Sequence, residues 1–541
     1  MSAFFYRIPK IALESRDEMK LLFASITILG LSLSCVSSKD SSQMKITTTS
    51  NHHELPWFQG TVEEAFVDAK KSDKPIILYW GAIWCPPCNE IKAEVFSNPR
   101  FAKIVEPTIP VYLDGDTDRA QQWGEKLGVS GYPTLVMLSS DGKEMSRISG
   151  GVNIQEFESI VNETLATKKS VQDALKIATQ TKADKSYYTM LAYVSWDQLP
   201  EVPTKTEADK IKDFKKLVAN CPADLIKERA LFAAKYLELN ATAFFSKDDK
   251  LKALAESNRS DALAYSEILL KNHQTIVAGR WPIIYSTTEI VNWAWPTAGV
   301  QREKMKSRYL QANQELANDS KLSSDTRLWA AYPQISFQMK DNKSNSPSQT
   351  SKDIVVSAVD KADQSAKTEY ERLSVISGAA YMLRQVGEFD KARELLTKEL
   401  QTTKTPYYYQ SSFANLEKQA GNTDKALQWS EKARLSASGR ATKLQWLADD
   451  LLMNASLKSK NQTKKLTELT ELYYQIAFEL NDGFSGRNSS RAKAIATALK
   501  DWKKEPKIAQ IISASKQKCS SMATKDEITA NCKQHFESIQ N

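Results

Sequence analysis

Along residues 55–165, short apolar runs alternate with segments whose apolar residues recur at helical spacing. This pattern predicts a mixed α/β domain, here called the N-terminal domain. Residues 76–80 (IILYW) form an apolar, strand-like run, and Ile91, Val95 and Phe96 then fall at helical spacing. Further strands are predicted at 110–113, 135–138 and 145–148, and helices at 120–127 and 154–165. Asp141-Gly142, between the last two strands, is typical of a hairpin turn.

Residues 166–541, the helical region, follow a different pattern. This part is more than twice as long as residues 1–165, yet it holds 8 of the 18 glycines while the first part holds 10. Because glycine marks turns and strand ends, the low count favours an all-α region. Apolar residues at i, i+3 and i+4 predict helices at 223–240, 250–271, 326–339 and 465–481.

Residues 372–438 carry an internal period of 34 residues. The pairs that keep this spacing are Gly387 and Gly421, Asp390 and Asp424, Ala392 and Ala426, and Ala380 and Ala414. The pattern resembles the tetratricopeptide repeat, in which helix pairs stack into a solenoid with a concave groove. The resemblance implies a groove for a protein ligand, and the alternative is a scaffold that only packs against the N-terminal domain. Tyr407, Tyr408 and Tyr409 are compatible with both.

The first residues predict export from the cell. Residues 21–33 (LLFASITILGLSL) are apolar, follow a charged start and end close to Cys35, which is typical of a secretory signal peptide over residues 1–35. Residues 36–54 are rich in Ser and Thr and are predicted to be a flexible tether. Cys35 resembles the lipidated cysteine of bacterial lipoproteins, although Ser32 stands where that pattern prefers leucine. The resemblance implies a lipid anchor on the periplasmic side of a bacterial membrane; plain cleavage and an uncleaved anchor are the alternatives.

Composition and charge exclude several classes of protein. The 541 residues are 41% apolar and 26% charged, as in ordinary globular proteins. The 73 Lys and Arg exceed the 65 Asp and Glu by 8, without a dense basic block, so no nucleic-acid partner is expected. No later apolar run is long enough to cross a bilayer, which excludes a polytopic membrane protein.

The most informative motif is Trp84-Cys85-Pro86-Pro87-Cys88, placed between a predicted strand and a predicted helix. Unpaired N–H groups and the positive end of the helix dipole stabilise a thiolate at Cys85 and lower its pKa. The thiolate is the attacking species in disulfide exchange. Cys88, about one turn further on, is placed to resolve the mixed disulfide.

Other uses of this C-x-x-C motif fit less well. Covalent haem attachment requires a histidine after the second cysteine, and Asn89 stands there. A structural zinc site requires a second pair of ligands, and the nearest histidines, His52 and His53, lie in the predicted tether. A static disulfide remains an alternative to redox exchange. We therefore expect no metal and no cofactor.

The remaining cysteines lie far from this motif. Cys519 and Cys532 are thirteen positions apart and predict a structural disulfide in an oxidising compartment, with two unpaired thiols as the alternative. Cys221 is left over and is expected to be buried and inert.

Two motifs together resemble the thioredoxin-like family. The sequence WCPPC is similar to its active-site motif, and Tyr132-Pro133-Thr134 is similar to the segment that carries its cis-proline. The residues after WCPPC resemble the C-terminal domain of the reductase DsbD and related exported proteins. The resemblance implies a thioredoxin-like α/β fold with Cys85 as nucleophile and Cys88 as resolving thiol. It also implies that Trp84 flanks the site and contacts the substrate, that the backbone of Tyr132 pairs with an extended segment of the substrate, and that Pro133 is cis, beside the disulfide.

One position departs from the family pattern. Thioredoxin has a buried Asp on the strand before its motif, and Tyr79 stands there in this chain. Either another acid takes its role, and Glu90 and Glu94 are the nearest in sequence, or resolution is slower; both glutamates are expected to lie on an ordinary helix surface.

Two hypotheses for the function follow. The first is a membrane-tethered thiol:disulfide oxidoreductase, more a reductase than an oxidase, acting on protein disulfides or a redox partner protein. The second is a lipoprotein scaffold whose thioredoxin-like domain is redox-inert or redox-sensing. A solvent-accessible Cys85 beside a cis Pro133 would favour the first hypothesis, and a Cys85 sealed beneath the helical region would favour the second.

Overall fold

The computed structural model describes residues 56–180, 182–199, 206–341, 347–457, 459, 461–521 and 526–540. The predicted signal peptide (1–35), with Cys35, and the predicted tether (36–54) lie outside the described residues. Within the described ranges, no helix combines the length and the apolar character that crossing a membrane requires.

A four-stranded mixed sheet forms the centre of the N-terminal domain. The strands are β1 (Ile76–Gly81), β2 (Ile109–Asp114), β3 (Thr134–Leu138) and β4 (Glu144–Ile148). Their order in the sheet is β2-β1-β3-β4; β1 runs parallel to β2 and antiparallel to β3, and β3 and β4 form an antiparallel hairpin. The hairpin turns at Gly142, which has a φ of 85°, so the predicted turn is present.

Five helices cover the two faces of this sheet. They are α1 (Val62–Ser72), α2 (Pro86–Ile91), α3 (Arg100–Val105), α4 (Asp118–Lys126) and α5 (Ile154–Thr167), with a π-helical turn (Lys92–Phe96) after α2. Alternate residues of β1 enter different cores: Leu78 and Trp80 lie in one apolar cluster, whereas Ile77 and Tyr79 lie in the other. The predicted α/β domain is thus confirmed.

The part of the helical region that the structure describes contains α-helices and short 3₁₀ turns, and the predicted all-α class is confirmed. Its first half comprises α6 (Val171–Gln180), α7 (Lys185–Ala192), α8 (Glu207–Asn220), α9 (Ile226–Phe244), α10 (Asp249–Ser257), α11 (Ala262–Leu269), α12 (His273–Ala278), α13 (Arg280–Tyr285), α14 (Thr287–Ala294), α15 (Val300–Asn318), α16 (Ser324–Trp329) and α17 (Tyr332–Asp341). Its second half comprises α18 (Gln349–Ser365), α19 (Glu369–Gln385), α20 (Phe389–Leu400), α21 (Pro406–Gln419), α22 (Thr423–Ser436), α23 (Arg440–Ser456), α24 (Gln462–Ala477), α25 (Ser489–Leu499), α26 (Pro506–Ser521) and α27 (Asp526–Gln540).

Two helices predicted as single elements are broken, and each break has a local cause. The helix predicted at 326–339 divides between α16 and α17 because Pro333 lacks the N–H that would continue the hydrogen bonding of α16. The helix predicted at 250–271 divides at a 3₁₀ turn (Asn258–Asp261). There Asn258 donates to Asn240 at 2.9 Å, and Asp261 accepts from Tyr236 at 2.6 Å, which ties the turn to α9.

The 34-residue period coincides with two consecutive helix pairs. Gly387 lies between α19 and α20 with a φ of 82°, and Gly421 lies between α21 and α22 with a φ of 81°. Such angles favour glycine, which accounts for its recurrence at this spacing. Assignment to the tetratricopeptide repeat stays a prediction.

The N-terminal domain and the helical region belong to one compact unit, joined in part by a buried ion pair. The Arg280 guanidinium donates to both carboxylate oxygens of Glu156 on α5, at 2.8 and 2.7 Å. The adjacent Trp281 donates from Nε1 to the carbonyl oxygen of Gly151 at 2.9 Å. We call Arg280 and Trp281 with Glu156 and Gly151 the anchor. Its burial and bidentate geometry indicate a tight contact between the two parts.

We predict that Arg280→Ala lowers the free energy of unfolding by about 3 kcal/mol, because it leaves the Glu156 carboxylate buried without its charge partner. Chemical denaturation followed by circular dichroism measures the change. Arg100→Ala is the matched control, since Arg100 pairs with Glu158 on the same helix but lies at the surface. That pair is expected to contribute less than about 1 kcal/mol. Equal losses in the two variants would contradict a buried anchor.

Candidate active site at Cys85 and Cys88

Cys85 lies at the N-terminal end of α2, as the sequence predicts. It has extended backbone angles, and its Sγ accepts a hydrogen bond of 3.3 Å from the backbone N–H of Cys88. The two cysteines are joined in a disulfide. Asn89, which is buried, donates from Nδ2 to the carbonyl oxygens of Cys85 at 3.0 Å and Ile83 at 2.9 Å. These bonds fix the loop that presents Cys85.

Pro133 lies on a neighbouring loop, and the Tyr132-Pro133 peptide bond is cis, as predicted. The loop at Gly150 packs closely on this proline: a Cβ at position 150 would lie 2.7 Å from Pro133 Cγ and 3.9 Å from the carbonyl oxygen of Pro87. Gly150 also has a φ of 89°. A residue with a side chain would therefore be strained and would push against the cis-proline.

Trp84 is held by an acid from the segment after β2. Its Nε1 donates to Asp116 Oδ2 at 3.2 Å, and the other oxygen of Asp116 accepts from Thr442 of the helical region. Burial raises the pKa of Asp116, although the hydrogen bond from Thr442 and the charge of Arg487 act in the opposite direction. Asp116 thus links the active-site tryptophan to the helical region.

Tyr132 is likewise enclosed by polar groups. Its hydroxyl accepts from Arg487 Nη1 at 3.2 Å and donates to the carbonyl oxygen of Gly115 at 3.2 Å. The Arg487 guanidinium also lies over the Tyr132 ring, 5.4 Å from its centroid. Burial raises the pKa of Tyr132, so the phenol remains neutral at physiological pH.

The cysteine pair lies beneath the helical region. Cys85 and Cys88 have no exposed surface, and Trp84 is 2% exposed. They share one apolar cluster with Tyr407 and Trp446, which come from α21 and α23. The two observations chosen to separate the hypotheses therefore point in opposite directions, because the cis-proline is present but Cys85 is sealed.

Tyr79 does not supply the acid that thioredoxin has at this position. Its ring is fully buried and packs edge-on against Phe96 at 4.8 Å, with Trp57 stacked at 6.0 Å. Burial raises the pKa of the Tyr79 phenol well above its ordinary value. Its hydroxyl has no hydrogen-bond partner among the described residues.

Glu90 and Glu94 do not lie on an ordinary exposed helix face, and that expectation is wrong. Glu90 is 7% exposed and accepts a hydrogen bond of 2.8 Å from Ser323. Burial, helped by the charges of Glu90 and Glu371, raises the pKa of Glu94 to about 7. The cause is tertiary, because the helical region covers the side of α2 that would face solvent in an isolated domain.

The other cysteines lie within the helical region. Cys519 and Cys532 are joined in a disulfide between α26 and α27, with Cα atoms 5.8 Å apart. Cys221 is a buried free thiol, and burial raises its pKa to about 12, so the sulfur remains protonated and unreactive. Among the described residues, no group of three or more His, Cys, Asp or Glu side chains is arranged to hold a metal ion.

Several residues at the site come from parts of the chain in which no sequence motif indicated a function. Asp116 belongs to a short acidic stretch, and Thr442, Trp446 and Arg487 lie more than 300 positions from the cysteines. The tyrosine run that includes Tyr407 was the one feature among them that the sequence analysis singled out, and it left two roles for it, packing within the helical region or lining a groove.

Comparison with known proteins assigns the N-terminal domain. Residues 62–165 match the family model of the thioredoxin-like domain, so this part of the chain is a thioredoxin-like domain. The thiol:disulfide interchange protein DsbD of Pectobacterium atrosepticum is 33% identical over 92 residues, which are 16% of this chain and 16% of DsbD. The protein disulfide-isomerase tigA of Aspergillus niger is 26% identical over 178 residues, 32% of this chain and 48% of that protein.

A solved thioredoxin from Thermus thermophilus is 23% identical, covers 21% of this chain and 88% of its own, and has a TM-score of 0.19. The chain thus spans about a sixth of the length of DsbD and less than half of that of tigA. The C-x-x-C pair within a thioredoxin-like domain is consistent with a thiol:disulfide oxidoreductase.

We predict that the buried Glu94 carboxyl makes stability depend on pH. Its pKa is higher in the folded protein, about 7, than its ordinary value of 4.5, so stability falls as the pH rises between these values. In Glu94→Gln this group no longer titrates. Raising the pH from 4.5 to 8 is therefore expected to lower the free energy of unfolding of the variant by about 2 kcal/mol less than that of the unsubstituted protein. Denaturation curves at the two pH values test this. Glu63→Gln, at an exposed position of α1, is the control, and the same difference in both variants would contradict the assignment.

Proposed function

We propose that this protein is an exported, membrane-tethered thiol:disulfide oxidoreductase that works in the direction of reduction. The observation that carries the proposal is the position of Cys85: it lies at the start of α2, is bonded to Cys88, and belongs to a thioredoxin-like domain whose Pro133 is cis. This geometry supports the roles of nucleophile for Cys85 and of resolving thiol for Cys88.

The chemistry starts from the reduced pair. The Cys85 thiolate attacks one sulfur of a protein disulfide, a bond forms between them, and the other substrate sulfur leaves and takes up a proton. Cys88 then loses its proton and attacks Cys85, which releases the second substrate sulfur as a thiol. Two electrons and two protons pass to the substrate, and a dithiol of a redox partner protein restores the reduced pair.

Several features support the finer parts of this proposal. The apolar residues 21–33 before Cys35 support export and a lipid anchor, with the redox domain on the periplasmic side of a bacterial membrane. The disulfide Cys519–Cys532 agrees with an oxidising compartment. The similarity to DsbD, a thiol:disulfide interchange protein, favours reduction of protein disulfides. The 34-residue period at 372–438 supports a tetratricopeptide-like region that binds a protein partner.

One observation favours a second function. Because Cys85 and Cys88 have no exposed surface, a disulfide of another protein does not reach them in this conformation. In a redox-sensing scaffold, oxidation or reduction of the pair would instead change how the helical region binds its partner. The two functions differ in whether Cys85 forms a covalent bond with a substrate.

We predict that Cys88→Ala in the full-length chain traps mixed disulfides between Cys85 and protein substrates, because the resolving thiol is missing. Non-reducing electrophoresis detects these species, and they are expected to disappear in the double variant Cys85→Ser, Cys88→Ala. Cys221→Ser is the matched control, since this thiol is buried and distant in sequence.

A companion assay measures reduction of a protein disulfide by the full-length chain with a dithiol as electron donor. Cys85→Ser is expected to abolish turnover, because it removes the attacking sulfur. If Cys85→Ser retained turnover, the enzymatic proposal would be refuted. If Cys88→Ala formed no adducts but partner binding changed with the redox state, the scaffold function would replace it.

A further inference from the structure

The described part of residues 406–488 (406–457, 459 and 461–488), here called the cover, lies over the candidate active site and contributes to its apolar core. Tyr407 and Tyr408 begin α21, and Trp446 from α23 lies 5.7 and 5.8 Å from their ring centroids. All three belong to the apolar cluster that contains Trp84 and Cys85. The cover therefore buries the reactive sulfur with aromatic side chains.

Polar contacts position the cover on the same surface. Thr442 donates to Asp116, and Arg440 forms an ion pair of 2.6 Å with Asp118. Gly439 approaches so closely that a Cβ there would lie 3.0 Å from Asp116 Cβ. These contacts place the start of α23 directly against the segment that holds Trp84.

The cover also contacts the site at Tyr132, in addition to the side where Trp84 lies. Arg487 donates to the hydroxyl of Tyr132 and lies over its ring, and it forms an ion pair of 3.4 Å with Asp482. Tyr132 and Trp84 are the two residues that the thioredoxin-like resemblance assigns to substrate contact. Because the cover contacts the Tyr132 side chain directly and reaches Trp84 through Asp116, a polypeptide substrate and the cover compete for the surface around these residues.

The anchor lies elsewhere and does not involve these residues. Arg280 and Trp281 hold the first half of the helical region against Glu156 and Gly151, whereas the cover belongs to its second half. Helices in a stacked array contact mainly their neighbours, so one end of the array can move while the other stays attached. Movement of the cover would also return the buried charges of Arg487 and Asp116 to water, which offsets part of the lost contact.

We propose that the cover is an autoinhibitory element: it closes the Cys85–Cys88 pair to protein substrates and must move away, with the anchor in place, before disulfide exchange. This inference rests on the proposed function, since it concerns access to the same sulfur. Any factor that changes the fraction of molecules in which the cover is open then regulates the site.

The test measures how fast the Cys85 thiol is alkylated. In the full-length Cys88→Ala protein, Cys85 is a free thiol, and its reaction with N-ethylmaleimide is followed by mass spectrometry of the Cys85 peptide. Arg487→Ala and Thr442→Val each remove one contact of the cover. Each is expected to raise the alkylation rate about tenfold, the change in the open fraction that loss of one charge-assisted hydrogen bond produces.

Arg308→Ala is the matched control, because Arg308 pairs with Glu267 and both lie in the first half of the helical region, outside the cover. It is expected to leave the rate unchanged. Melting curves of all variants show whether they are folded, and Thr442→Val, which keeps the size of the side chain, carries the test if Arg487→Ala does not fold. The proposal is overturned if Cys85 reacts as fast in the folded parent as in urea, or if neither cover variant changes the rate.

Failure of the proposed function gives a different result. The same substitutions are placed in the chain with both cysteines, which is then reduced and offered a protein disulfide. Faster alkylation together with faster exchange supports both proposals. Faster alkylation without any exchange supports the cover and refutes the oxidoreductase.

Discussion

The contact that buries Cys85 and Cys88 against the helical region is the constraint on which the proposed chemistry of this protein depends. An attacking sulfur in disulfide exchange has to be ionised by its surroundings and also has to be reached by another disulfide. The start of α2 contributes to the first requirement through one backbone N–H, that of Cys88, which bonds the Cys85 sulfur, since Pro86 and Pro87 have none. The helical region withholds the second, because it leaves no exposed surface on either cysteine. The reactivity of the sulfur thus depends on the N-terminal domain, and access to it depends on the helical region.

Two of the contacts between these parts, the anchor and the cover, differ in character. The anchor consists of a bidentate pair between Arg280 and Glu156, which is buried and whose strength comes from charge and geometry together. The cover combines aromatic burial with a few polar bonds, and one of its ion pairs, between Arg440 and Asp118, is largely exposed to solvent. Exposed pairs contribute little to stability, whereas breaking a buried pair is costly. The proposed autoinhibition therefore assigns the movement to the cover and leaves the anchor in place.

Local features of this chain were predictable, and long-range ones were not. The strands, the helix that begins at Cys85 and the cis bond at Pro133 depend on neighbouring residues or on motifs, and the structure has them where the sequence placed them. The partners of Tyr132 and Asp116 are 355 and 326 positions away, and no periodicity or spacing reports such contacts. For the same reason Glu90 was expected at a surface: its helical spacing is ordinary, and only the packing of a distant helix buries it. Pro333 is visible in the sequence as a residue that breaks helices, but the helical spacing of the apolar residues around it led to the prediction of one continuous helix.

The acids of the N-terminal domain show that its surface is adapted to contact with the helical region. A single thioredoxin-like domain would leave Glu90, Asp116 and Glu156 in water, whereas here each has a partner in the helical region: Ser323, Thr442 and Arg280. Buried acids without such partners would destabilise the folded state, so the domain surface and the helical region are matched to each other. The motif WCPPC determines which bond can be exchanged. In the autoinhibition that we propose, the helical region controls, through the position of the cover, which disulfides reach that bond and when.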